Sequence, residues 1–269
     1  MVLIILHHYS LHGGLSSINS YDINKYIGII CLIDGKVAVN LFVLISGYFF
    51  IESEFKIEKV LKLILQVNCY STLFFIGYVL LKGKTTIEKI KLTVFPFKSK
   101  SYWFILLYIL DTYIRLYDLK KVSKKSIKWI CIIGCVVFII VACSIAYMSK
   151  YNSSLFRIIN KISSLNSIVV LIETILIFLV FNNTEIKSSK FINLLGKSSV
   201  GVYLLHDSIF RVEFWKEICF VEKFYFVSPE ILILHIVVYT LGIYLGGTVI
   251  ESVRVKVIEN HILDKKIIN

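Results

Sequence analysis

Charge is what this sequence is short of. Aspartate, glutamate, lysine and arginine make up 18% of its 269 residues, and 57% are hydrophobic. Soluble domains carry about 25% charged and about 45–50% apolar residues. That imbalance, with only two prolines, excludes an ordinary soluble domain and predicts an integral membrane protein. Acidic residues are the scarcer sign: 18 against 30 basic ones, for a net charge of +12. The lysines sit in short stretches between apolar spans, as in loops that touch anionic headgroups. No basic stripe is interleaved with exposed aromatics, so no nucleic-acid partner is expected.

A disulfide framework is lacking too. The six cysteines, Cys31, Cys69, Cys131, Cys135, Cys143 and Cys219, lie mostly inside or beside apolar spans. Cys131 and Cys135 are one helical turn apart, but no histidine or second cysteine pair stands at zinc spacing. They read as small hydrophobes, and no metal is expected. Met1–Leu6 has no basic flank and no small-residue cleavage site after it, so no cleavable signal is evident. Solenoid and low-complexity repeats are also missing.

What is present is a series of apolar segments. A bilayer core about 30 Å thick takes about 20 helical residues. Met1–Leu11 reaches about half that distance and reads as the end of a cut first span. Ile27–Ile51, Val60–Leu81, Tyr102–Tyr117, Ile127–Met148, Leu165–Phe181, a shorter Ser198–Phe210, and Ile231–Ile250 follow. The fold class expected is all-α, a polytopic transmembrane helix bundle of about eight hydrophobic segments in one domain, 1–269. Ser16–Tyr26 reads as a loop, and Val212–Glu230, mixed aromatic and charged, as partly interfacial. The basic clusters Lys82–Lys100 and Asp118–Lys128 flank one span and cannot both be cytoplasmic if it crosses; the denser second is taken as the inner one. Tyr102-Trp103-Phe104 fits an interfacial aromatic belt.

Polar groups within apolar segments mark the candidate chemistry. His7 and His8 end the first apolar run, His12 follows one turn later, and Gly13-Gly14 stops the segment. Histidine suits proton transfer near neutral pH; the bland alternative is a headgroup-solvated boundary cluster. Ser199, Tyr203, His206 and Phe210 share one helix face, with Asp207 and Arg211 on a second. Asp111 and Arg115, four apart, can pair. Glu173 and Asn166 share a face, with Glu173 read as a paired structural carboxylate ahead of a proton-handling one. Leu195-Gly196-Lys197-Ser198 lacks the earlier glycine of a phosphate loop, since position 191 is Phe191, and reads as a turn before a helix. Ser46-Gly47-Tyr48 lacks a nucleophile elbow and reads as a helix-packing point.

Four stretches in order, LHHYSLHGG, VNLFVLISGYFF (Val39–Phe50), YWFILLYI (Tyr102–Ile109) and GKSSVGVYLLHD (Gly196–Asp207), resemble the membrane acyltransferase-3 family, in its surface-polysaccharide O-acetyltransferase branch. The resemblance implies a bundle of about ten helices in the bacterial plasma membrane. It also implies transfer of an acyl group, usually acetyl, from acetyl-CoA to a sugar hydroxyl of a cell-surface polysaccharide or its lipid-linked precursor. His8, or else His7, matches the family's first-helix histidine, and His206 the histidine closing its late motif. The family arginine would fall before Met1, and material between two of its middle spans is missing here. On this reading His8 is the general base, with an acyl-histidine intermediate equally open. His206, Tyr203 or Lys36 is the donor to the oxyanion, and Ser199 lines the substrate side. A degenerate acyltransferase without turnover is one alternative. A transporter or flippase component is another, though the two related halves expected of it are not visible.

Overall fold

The computed structural model describes residues 1–18, 20–50, 101–116, 124–184, 187–208 and 211–259, with scattered positions between 66 and 80. Among the described residues the chain is all-α and contains no strand. Eight helices organise it. They are α1 (Val2–Gly13), α2 (Ile23–Phe50), α3 (Ser101–Leu116), α4 (Lys124–Met148), α5 (Phe156–Ile162), α6 (Ile168–Asn182), α7 (Lys190–His206) and α8 (Pro229–Arg254). Among the described residues three stretches are long and apolar enough to cross a membrane: Ile23–Ser46, Lys125–Met148 and Pro229–Val257. Ile168–Asn182 is apolar but shorter. Of the expected span Val60–Leu81 only scattered positions between 66 and 80 are described, each of them helical, and the basic loop Lys82–Lys100 lies outside the described residues.

α2 is the hub, packing against α1, α3, α4 and α6. Its glycines set how closely α1 approaches. A Cβ at Gly35 would overlap the root of the His7 side chain, and one at Gly28 would press on the Leu15 backbone. Ser10 Oγ donates to the Gly28 carbonyl at 2.6 Å across the same seam. Small residues thus let two backbones meet, as helix pairs in lipid require. Gly14, at φ 82°, closes α1 in the left-handed region that favours glycine. α7 crosses α8 by the same device, with Gly247 against Val202.

Several expected boundaries move. α2 begins at Ile23, inside the expected loop, because Ile23–Tyr26 has no proline or glycine to delay it. α7 begins at Lys190, so Leu195–Ser198 lies within a helix and is not the turn expected before one. Nothing in Lys190–Leu195 breaks a helix, and Gly196 alone costs too little to do so. The segment 212–230 packs against α1. Trp215, Cys219 and Val221 are buried in one core with Ile5, Tyr9, Leu15 and Leu232. Trp103 likewise turns inward, its Nε1 donating to Asn40 Oδ1 at 3.0 Å, while Asn40 Nδ2 donates to the Leu165 carbonyl at 2.9 Å. The expected Asp111–Arg115 pair rests on the Arg115 side chain, which is not among those described.

Candidate functional site

α1 carries His8 and His12 four residues apart, which places both on one face, one turn above the other. His7 is rotated by about 100° from His8 and faces α2. From the far end of the chain, α7 delivers His206 in its last turn and Asp207 as its C-cap residue. The two segments meet. The His8 ring centroid lies 5.0 Å from His12, 5.1 Å from His206, 5.5 Å from His7 and 6.2 Å from Tyr203. His8 is therefore the centre of the cluster. His7, His8 and His206 are all buried.

Hydrogen bonding fixes which nitrogens carry lone pairs. His206 Nδ1 lies 2.6 Å from the Val202 carbonyl, and His7 Nδ1 lies 2.6 Å from the Leu32 carbonyl. A carbonyl only accepts, so each Nδ1 carries the proton and each neutral ring presents its lone pair at Nε2. Both Nε2 atoms are buried without a hydrogen-bond partner among the described residues, as is His8 Nδ1. Such orphaned atoms are rare inside proteins and call for an explanation. Asp207 is held from two sides. Tyr203 donates its hydroxyl to Oδ2 at 2.6 Å, and Arg211 Nη1 approaches Oδ1 at 3.3 Å. His8 Nε2 and His12 Nε2 stand 4.0 Å and 3.8 Å from the same Oδ1, beyond hydrogen-bond length.

The remaining expected residues fall as follows. The Lys36 charge acts on His7, His8 and His12, so α2 lends a cation to the cluster. Ser199 is buried on α7 but donates its hydroxyl back to the Leu195 carbonyl at 3.0 Å, a local helix contact. Its place is two turns from His206 on α7. Ser46, similarly, donates to the Phe42 carbonyl at 2.7 Å and is half-exposed. Glu173 is buried with Oε1 unpartnered among the described residues, while Asn166 is exposed beside Ser164, not with Glu173.

Two members of the cluster were named in the sequence without a catalytic or binding role: His12, in the histidine stretch, and Asp207, read as a partner of Arg211, which it is. The four-residue spacing of His8 and His12 was a signal for the first. Nothing in the sequence placed Asp207 opposite α1. A separate buried network was also not foreseen. Glu251 accepts from Arg254 Nε and Nη2, each at 2.8 Å, from Gln66 Nε2 at 2.9 Å and from the Tyr70 hydroxyl at 2.6 Å.

The 212–230 segment clamps the site from below α1. Tyr225 donates its hydroxyl to the Gly13 carbonyl. Burial, aided by Glu222, pushes the Tyr225 phenol up to about 12. Burial likewise pushes the Cys219 thiol up to about 12, which removes it as a nucleophile near neutral pH.

No protein-family model, curated protein or solved structure matches the chain.

Proposed function

We propose that the chain is an integral-membrane O-acyltransferase of the bacterial plasma membrane, a bundle of about eight hydrophobic segments. It transfers an acyl group, acetyl in the simplest case, from acetyl-CoA to a hydroxyl of a cell-surface polysaccharide or its lipid-linked precursor. One observation carries this reading. His8 and His206, from two of the four stretches that carry the resemblance to acyltransferases, lie ring to ring at 5.1 Å in a buried cluster.

The chemistry follows from the groups present. A sugar hydroxyl is a weak nucleophile, and a histidine lone pair within about 3 Å of it takes its proton as it attacks the thioester carbonyl, typically a 10²–10⁴-fold gain. His8, at the centre, is the base. The tetrahedral oxyanion then needs a cation or donor. His206 presents a lone pair at Nε2 when neutral, and the Tyr203 hydroxyl hydrogen is already engaged by Asp207. Lys36 therefore takes the oxyanion role, and the one proton taken from the sugar hydroxyl stays on His8 until collapse. Collapse breaks the carbon–sulfur bond, and the CoA thiolate leaves and takes up the proton from the imidazolium.

The test is base-labile acetate on purified surface polysaccharide, in cells carrying each variant as the only copy. His8→Ala abolishes it while membrane insertion is kept. Full acetylation by that variant refutes the assignment. No acetylation by the unmutated chain refutes the transferase reading itself.

A further inference from the structure

We propose that His8, His12 and Asp207 form a binding site for a borderline divalent transition ion, with Zn²⁺ the best fit. The ligand atoms of the three residues all lie within 4.8 Å of one another. The distances of 3.8 Å and 4.0 Å to Asp207 Oδ1 are too long for hydrogen bonds. They are close to what an ion needs. Zinc–nitrogen and zinc–carboxylate bonds of about 2.1 Å put two ligands of a tetrahedral ion about 3.4 Å apart. The two Asp207 distances need about half an ångström of closure, and side-chain rotation must also draw in the wider separations of the trio, which lie within 4.8 Å.

The framework is of the kind that holds metals. Two histidines four apart on one helix face present their nitrogens to one point. The carboxylate comes from a different helix, and two imidazoles with one carboxylate leave a further position open. Tyr203 supplies the supporting hydrogen bond: its 2.6 Å contact holds Oδ2 and aims Oδ1 at the histidines. His8 is nearly fully buried, with Nδ1 left without a partner among the described residues. Ligation through Nε2 places the proton on Nδ1. The expectation of no metal rested on the cysteines, and these residues lie outside that argument.

Two cations oppose the ion. Arg211 competes for Oδ1, but its side chain is 48% exposed and the pair is four residues apart on the chain, so it swings into solvent at small cost. Lys36 remains nearby and weakens affinity without removing a ligand. The metal site does not rest on the acyl-transfer reading. Where both hold they exclude each other, since a zinc-bound His8 has no lone pair for a sugar hydroxyl; Zn²⁺ then acts as an inhibitor of transfer.

The experiment uses the full chain, purified in detergent without a polyhistidine tag and stripped with a chelator. Zn²⁺ is titrated against a chromophoric chelator, and Co²⁺ serves as the spectroscopic probe. The unmutated chain takes up one equivalent of Zn²⁺. His12→Gln and Asp207→Asn each weaken it by at least about 10-fold, the lower bound for losing even an outer-shell partner. Bound Co²⁺ shows the intense visible bands of a four- or five-coordinate nitrogen–oxygen site. Absence of Zn²⁺ uptake, unchanged affinity in His12→Gln, or a thiolate-to-cobalt charge-transfer band overturns the proposal. Should a variant lose its helical circular dichroism, the Co²⁺ spectrum of the unmutated chain decides. These readouts involve no acyl transfer, so they stand or fall separately from the enzyme reading.

Discussion

Replacing Gly35 by alanine tests whether the α1–α2 seam positions the histidines. The added methyl would overlap the Cβ of His7, which is anchored to a helix backbone and has no flexible tip to swing aside. Overpacking of this kind costs about 1–3 kcal/mol. Moving α1 away also stretches the buried 2.6 Å bond from His7 Nδ1 to the Leu32 carbonyl, a further loss of about 1 kcal/mol. Against this, alanine in a helix interior is better than glycine by about 0.5–1 kcal/mol. The net is a destabilisation of about 2 kcal/mol, roughly 30-fold in the folding equilibrium. Gly196 provides the contrast. It also lies inside a helix, but a Cβ there meets nothing within 4 Å, so Gly196→Ala stabilises by about 0.5–1 kcal/mol. The assay is the thermal midpoint of helical circular dichroism in one detergent. Gly35→Ala falls below the unmutated protein and Gly196→Ala does not. Equal midpoints for the two variants would refute the close-packed seam.

Two further predictions concern other parts of the molecule. Glu251→Gln leaves the buried Arg254 guanidinium without its bidentate carboxylate partner, and breaking a buried pair in this way costs about 3–5 kcal/mol; an unchanged thermal midpoint would contradict the network. Tyr225 has its folded-state pKa raised from 10.0 to about 12, so the stability it contributes is fully present below pH 10 and is lost as pH rises toward 12. Thermal midpoints measured across that window decline more steeply for the unmutated chain than for Tyr225→Phe, and parallel declines would count against the clamp on Gly13.

Much of the architecture was legible because apolar length and turn chemistry are local properties. The span expected at Ile127–Met148 became a helix at Lys124–Met148, and Gly14 stops α1 where a glycine pair stood in the sequence. The errors came where local signals were weak. A single glycine at 196 did not interrupt α7. The aromatic and charged mixture at 212–230 could not show that Trp215 is fully buried against Tyr9, a contact set by a partner some two hundred residues away. The same limit applied to the site. His7, His8 and His206 were identifiable as histidines in or beside apolar segments, but placing Asp207 near His8 required the end of α7 to meet α1. Ser199 shared a helix face with His206, and the face alone could not reveal that its hydroxyl was bound to Leu195.

The central claim is that His8 removes a proton from an acceptor hydroxyl during acyl transfer. The most direct measurement is release of CoA thiol from acetyl-CoA by the full chain in proteoliposomes, with and without the surface glycan as acceptor, comparing the unmutated protein with His8→Ala. The account predicts glycan-dependent release by the unmutated chain and a fall of at least about 100-fold in the variant. Equal glycan-dependent rates for the two proteins would contradict it.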